Sequence, residues 1–100
     1  MSRMIFRYQV PLDAPNDVIE IMMPKDANIL HFAEQEGGLY IWAISQWPSV
    51  EQAKFSFCIY GSGWEIPDTT KDEFYIGTVQ QGPYTWHLYK FYWPDPPPTP

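Results

Sequence analysis

Residues 28–47 read NILHFAEQEGGLYIWAISQW. Two extended runs, NILHFAEQ at 28–35 and LYIWAISQW at 39–47, flank the short connection EGG at 36–38. Isoleucine, tryptophan, tyrosine and phenylalanine suit a pleated, half-buried surface. Glycine accepts the positive φ that a tight hairpin turn demands. The stretch therefore predicts an antiparallel hairpin. Pro48 ends its second strand, because proline has no amide to donate and a fixed φ. This period-2 reading extends in both directions and decides the fold class.

Toward the N-terminus, MIFRYQV at 4–10 alternates, with Met4, Phe6, Tyr8 and Val10 on one side and Ile5, Arg7 and Gln9 on the other. PLDAPN at 11–16 is a turn cluster with two prolines. VIEIMM at 18–23 is a second strand, stopped by Pro24 and the polar turn Lys25-Asp26. Beyond the hairpin, PSVEQAK at 48–54 predicts a loop with at most one helical turn, and KFSFCIY at 54–60 alternates again. A polar loop containing DTTKDE leads to FYIGTVQ at 74–80; QGP turns the chain into the very aromatic YTWHLYKFYW at 84–93. No segment keeps a 3.6-residue period over ten positions. The expectation is an all-β domain of about seven mostly antiparallel strands, in a small sandwich or flattened barrel.

A chain of 100 residues makes one domain, here 1–93, and the closing PDPPPTP at 94–100 predicts a Pro-rich flexible tail outside the sheet. Twelve acidic against six basic side chains give a formal charge of −6. Such a surface repels nucleic-acid phosphate, so direct DNA binding is not expected. It suits solubility instead, or docking to a basic protein surface that normally holds nucleic acid. A single cysteine, Cys58, excludes an internal disulfide and fits a reducing compartment. No apolar run approaches the ~20 residues of a membrane span. The N-terminus lacks a signal peptide's apolar stretch. A cytoplasmic protein is expected.

The segment YGSGWEIPD at 60–68 raises the possibility of a phosphate loop. Such a loop needs a helix directly after its glycines, whose N-terminus supplies donors and dipole. Pro67 disfavours that helix and no GKS or GKT follows, so the glycines are expected to serve a turn or bulge as the strand ends. His31 and His87 lie inside strands and lack the close ligand pairing of a zinc site. A Cys58–His87 nucleophile pair has no sequence feature that would activate it. Asp68, Asp72 and Glu73 share a polar loop. No catalytic set, metal or cofactor is expected, and the chain is not expected to be an enzyme.

The aromatics carry more information. The fourth strand places Tyr40 and Trp42 on one face, and Leu39, Ile41, Ala43 and Trp47 on the other. The seventh places Tyr84, Trp86, Leu88 and Tyr92 on one face, and Tyr89, Phe91 and Trp93 on the other. Strands that are apolar on both faces must meet a second layer, a second copy or a partner.

The pieces MIFRYQVPLD, IEIMMPKDANILHF, LYIWAI, FCIYGSGWEIPD, YIGTVQQG and TWHLYKF, in this order, resemble an uncharacterised family of short, roughly 90-residue tailed-phage and prophage proteins. The likeness spans 4–91 and leaves out the tail. It implies a phage origin, a small accessory role, and a backbone role for Gly61 and Gly63. The resemblance also implies that Trp64 stands where relatives often carry histidine or another residue.

The expected function is binding. The first expectation is a stoichiometric inhibitor of a host antiphage-defence protein, with Trp and Tyr as anchors and carboxylates steering encounter. Its binding residues are Trp47, Tyr60, Gly61, Ser62, Gly63, Trp64, Glu65 and Asp68. An alternative is sequestration of a nucleotide-derived immune signal: bases stack on Trp or Tyr, and the amides around Gly61–Gly63 hold phosphate. That role needs Arg3, Arg7 and Lys90 to cluster. A structural or assembly role is third. A homo-oligomer is expected in each case.

Overall fold

The computed structural model describes residues 2–12, 18–48 and 51–93, with the side chain of Tyr92 excluded. It contains β1 (Ser2–Gln9), β2 (Ile19–Pro24), β3 (Asn28–Gln35), β4 (Gly38–Trp47), β5 (Gln52–Gly61), β6 (Tyr75–Gln81) and β7 (Tyr84–Tyr92). A 3-10 turn, Asp72–Phe74, precedes β6. The Pro-rich tail at 94–100 and most of the turn cluster at 11–16 lie outside the described residues.

The strands form two antiparallel sheets, three-stranded β1-β4-β3 and four-stranded β2-β5-β7-β6. Neither closes on itself, so the molecule is a small sandwich and not a barrel. The inner residues of both sheets make one core. Leu39, Ile41 and Ala43 of β4 meet Phe55, Phe57 and Ile59 of β5 and Trp86 and Leu88 of β7 in a single buried cluster. Alternation in β4 is strict, with every second residue from Leu39 to Ser45 buried.

The 36–38 connection is a two-residue loop. Gln35 pairs with Gly38, and Glu36 and Gly37 both have positive φ, 54° and 86°. Both central residues at positive φ define the primed turn whose twist matches the flanking strands. Glutamate is a poor occupant of that conformation. Glu36→Asn is therefore expected to stabilise the domain by about 0.5–1 kcal/mol, read as a rise in the urea midpoint. An unchanged or lower midpoint would contradict the turn assignment.

Three bulges break the period-2 pattern. Register shifts single out Leu30 in β3 and Ile76 in β6. In β7, Ser56 opposes Tyr92 while Phe57 opposes Lys90, so Phe91 is the extra residue. A bulge moves all later side chains to the other face. Trp93, expected beside Tyr89 and Phe91, instead turns inward. It packs edge-on against Phe55 and Phe57, with ring centroids 5.3 and 5.6 Å apart. Tyr84 departs from its face in the other direction: it shares the parity of Trp86 but remains 61% exposed at the strand end.

Strand β5 starts at Gln52, two residues before the expected start at 54, which shortens the preceding loop. Among the described residues no helix is long and apolar enough to cross a membrane.

Candidate functional site

The outer face of the four-stranded sheet is built by register. Tyr60 of β5, His87 of β7 and Thr78 of β6 lie side by side, as do Cys58, Tyr89 and Tyr75 in the next row. The rings of Tyr60 and Tyr75 both meet Tyr89 edge-on, at 5.7 and 5.5 Å. Each such pair contributes about 0.5–1.5 kcal/mol beyond area burial. The row makes a continuous aromatic platform.

Hydroxyls and one imidazole lace this platform together. Ser62 Oγ lies 2.8 Å from His87 Nε2, Thr78 Oγ1 lies 2.9 Å from His87 Nδ1, and Tyr75 shares a 2.5 Å hydrogen bond with Thr78. A neutral imidazole donates from one nitrogen and accepts at the other, so one hydroxyl donates to His87 and the other accepts. The Ser62–His87 distance is that of a serine–base pair. A catalytic imidazole of that kind is oriented by a carboxylate at its second nitrogen. Here the hydroxyl of Thr78 occupies that place.

The segment following β5 lies across one part of this face. Tyr60 and Thr70 share a 3.0 Å hydrogen bond. Ile66, Pro67, Asp68, Thr70 and Tyr89 are among the residues lining a cleft of about 430 Å³. Cys58, Tyr60, Pro67, Thr70, Phe74 and Phe91 are among those lining a second of about 270 Å³. Burial pushes the Tyr60 phenol up, opposed by the Thr70 hydrogen bond, and burial also pushes the Cys58 thiol up.

The GSG element is a turn. Trp64 donates its amide to the carbonyl of Gly61 at 3.1 Å, and Gly63 sits at φ 85°. Gly61 is required for another reason. A Cβ there would stand 2.8 Å from the indole of Trp64. Trp64 thus folds back over the core-facing side of the end of β5, away from the tyrosine platform, and meets Trp86 edge-on at 5.5 Å. Trp86 is anchored beneath: its indole donates to Gln81 at 2.9 Å, and Gln81 donates to the carbonyl of Gly37 at 2.7 Å. This ties the site to the β3–β4 turn of the other sheet. Gly61→Ala is expected to displace the Trp64 ring, seen as a changed near-ultraviolet circular dichroism spectrum with the far-ultraviolet spectrum retained. An unaltered near-ultraviolet spectrum would rule out the packing of Trp64 on Gly61.

The predicted binding residues divide. Tyr60, Gly61, Ser62, Gly63, Trp64, Glu65 and Asp68 fall along one chain segment at one end of the four-stranded sheet. Trp47 does not join them. It ends β4 in the other sheet and packs on Phe6, with ring centroids 5.2 Å apart. The ten-residue β5 separates its position from Gly61, and at ~3.3 Å per residue that is about 30 Å. His87, Thr78, Tyr75, Tyr89 and Phe91 belong to the face and were not among the predicted site residues.

Two amides proposed to hold phosphate are already bonded, Ser62 to Thr85 and Trp64 to Gly61. The cations are dispersed. Arg3 and Arg7 lie on β1, with Arg7 4.3 Å above the Tyr40 ring, whereas Lys90 of β7 lies 4.9 Å from the Trp93 ring. Among the described residues no group of three or more His, Cys, Asp or Glu is placed to hold a metal ion.

A family model described as a domain of unknown function, DUF7352, matches residues 1–97. The chain belongs to the DUF7352 family. The match takes in all seven strands and therefore the whole aromatic face. No curated protein and no solved structure matches the DUF7352 chain.

Proposed function

We propose that this DUF7352 domain is a phage accessory protein of the host cytoplasm. In this role it binds a host antiphage-defence protein stoichiometrically and inhibits it, docking through the outer face of the four-stranded sheet. One observation carries the docking face: large apolar groups stand exposed where a solvent-facing sheet would be polar. On that face Phe91 is 59% exposed, Tyr75 47% and Ile66 38%, and Trp64, at the adjoining end of the sheet, is 41% exposed. The rings are fixed by the Tyr60–Tyr89–Tyr75 contacts and the hydroxyl network, so binding costs little side-chain entropy. Glu65, Asp68, Asp72 and Glu73 are exposed around the platform. An aromatic centre with an acidic rim fits a partner whose surface is basic, with the carboxylates raising the rate of encounter. The likeness to short phage and prophage proteins supports the phage role and the choice of a defence protein as target.

The test is phage plating on bacteria that each carry one defence system, with and without the domain. The expected result is restored plating on at least one strain, lost with Glu65→Lys/Asp68→Lys in a domain that still melts cooperatively. Absence of rescue on every strain overturns the inhibitor role. Rescue that survives the charge reversal overturns the docking face.

A further inference from the structure

A sandwich with two open sheets has four edge strands, and three of them here are blunted. Strand β2 has six residues and ends at Pro24. Strands β3 and β6 carry the bulges at Leu30 and Ile76. Short length, proline and bulges are the devices that stop an edge from recruiting another strand. Strand β1 has none of them. It is eight residues long, without proline, and pairs with β4 without a register shift. Its first half is exposed on both faces, with Met4 41% and Ile5 54% exposed. Nor does Arg7 guard this edge. Its guanidinium reaches across β4 to Gln35 on β3, passing over Tyr40.

We infer that β1 pairs antiparallel with β1 of a second copy, joining the two three-stranded sheets into one. The register follows from the backbone. Val10 donates its amide to Leu39 of β4 at 2.8 Å. Because the β1–β4 register is unbroken and amides alternate sides along a strand, Met4, Phe6 and Tyr8 bond β4. Arg3, Ile5, Arg7 and Gln9 therefore point their amides and carbonyls outward. A twofold axis between antiparallel neighbours stands perpendicular to the sheet and sets one residue opposite itself.

Centring on Ile5 opposes Arg3 to Arg7 of the second copy, a like-charge pair that disfavours the register. Centring on Arg7 opposes two arginines directly. Centring on Phe6 places Arg3 opposite Gln9, Ile5 opposite Arg7, Met4 opposite Tyr8 and Phe6 opposite itself. All the outward amides then find carbonyls, and Met4, Phe6 and Tyr8 meet at the non-hydrogen-bonded positions where side chains lie closest. The same axis turns the outer faces of both four-stranded sheets to one side. This inference stands apart from the proposed inhibitor role.

The test uses Ile5→Pro. It removes an outward amide without touching the β1–β4 ladder, whereas Phe6→Pro removes a ladder bond and serves as the folding control. In native mass spectrometry the wild type is expected as a dimer and Ile5→Pro as a monomer with a cooperative melt. In hydrogen exchange on the wild-type protein, the amides of Ile5 and Arg7 should slow at least ~10-fold from monomer to dimer concentrations. A wild type that stays monomeric overturns the inference, as does a dimer that survives Ile5→Pro. Fast exchange of Ile5 and Arg7 in the dimer overturns it even if the proline variant fails to fold.

Discussion

Phe57→Ala is expected to destabilise the domain by about 3–5 kcal/mol. Phe57 is fully buried at the centre of β5 and meets Trp93 edge-on at 5.6 Å. Its neighbours in the core come from both sheets, so they cannot collapse into the space without bending two sheets at once. A small domain has a total stability of about 5–15 kcal/mol, and each kcal/mol moves the melting midpoint of a domain this size by roughly 4–8 °C. The midpoint should therefore fall by about 12–40 °C, followed by far-ultraviolet circular dichroism. A fall of only a few degrees would mean that Phe57 is not shared between the sheets and that the sandwich packing is wrong.

Trp64→Ala should leave the fold in place and remove most of the binding. The ring is 41% exposed, and its edge-on contact with Trp86 is one aromatic pair. Losing that pair is expected to cost about 0.5–1.5 kcal/mol of stability beyond the loss of the ring's buried area. The same ring borders the docking face at the end of the sheet, beside Glu65, and is pinned against the core-facing side of Gly61 and against Trp86 before any partner arrives. Truncation of an aromatic anchor costs about 2–4 kcal/mol of affinity, or roughly 30- to 1,000-fold in Kd. Calorimetric titration of the target identified by phage rescue measures it. Unchanged affinity would confine docking to the outer face and leave Trp64 out of it.

The seven strands were legible because the signals are local. Alternation from Leu39 to Ser45, the Glu36-Gly37 turn and the prolines at 24 and 48 each act within a few residues. The turn role of GSG was legible for the same reason, since Pro67 speaks against a helix nearby. What could not be read is what depends on register. Tyr60, His87 and Thr78 become neighbours only once β5, β7 and β6 are aligned, and nothing in the chain order 60, 78, 87 announces it. The bulge at Phe91 is one inserted residue with no sequence signature, yet it sends Trp93 from the outer face into the core. Trp47 was grouped with Trp64 as an aromatic available for contact. The residue type gave no sign that the full length of β5 lies between them. The choice between sandwich and barrel rests on whether the sheet edges meet, which is again a matter of register.

The central claim is that the aromatic outer face holds one protein partner in a fixed ratio. Native mass spectrometry of the domain copurified from a rescued defence strain tests it most directly. The account predicts a complex of one domain per target chain, absent with Glu65→Lys/Asp68→Lys. A domain that carries only a small-molecule adduct, with no protein bound, would contradict it and assign the face to ligand sequestration.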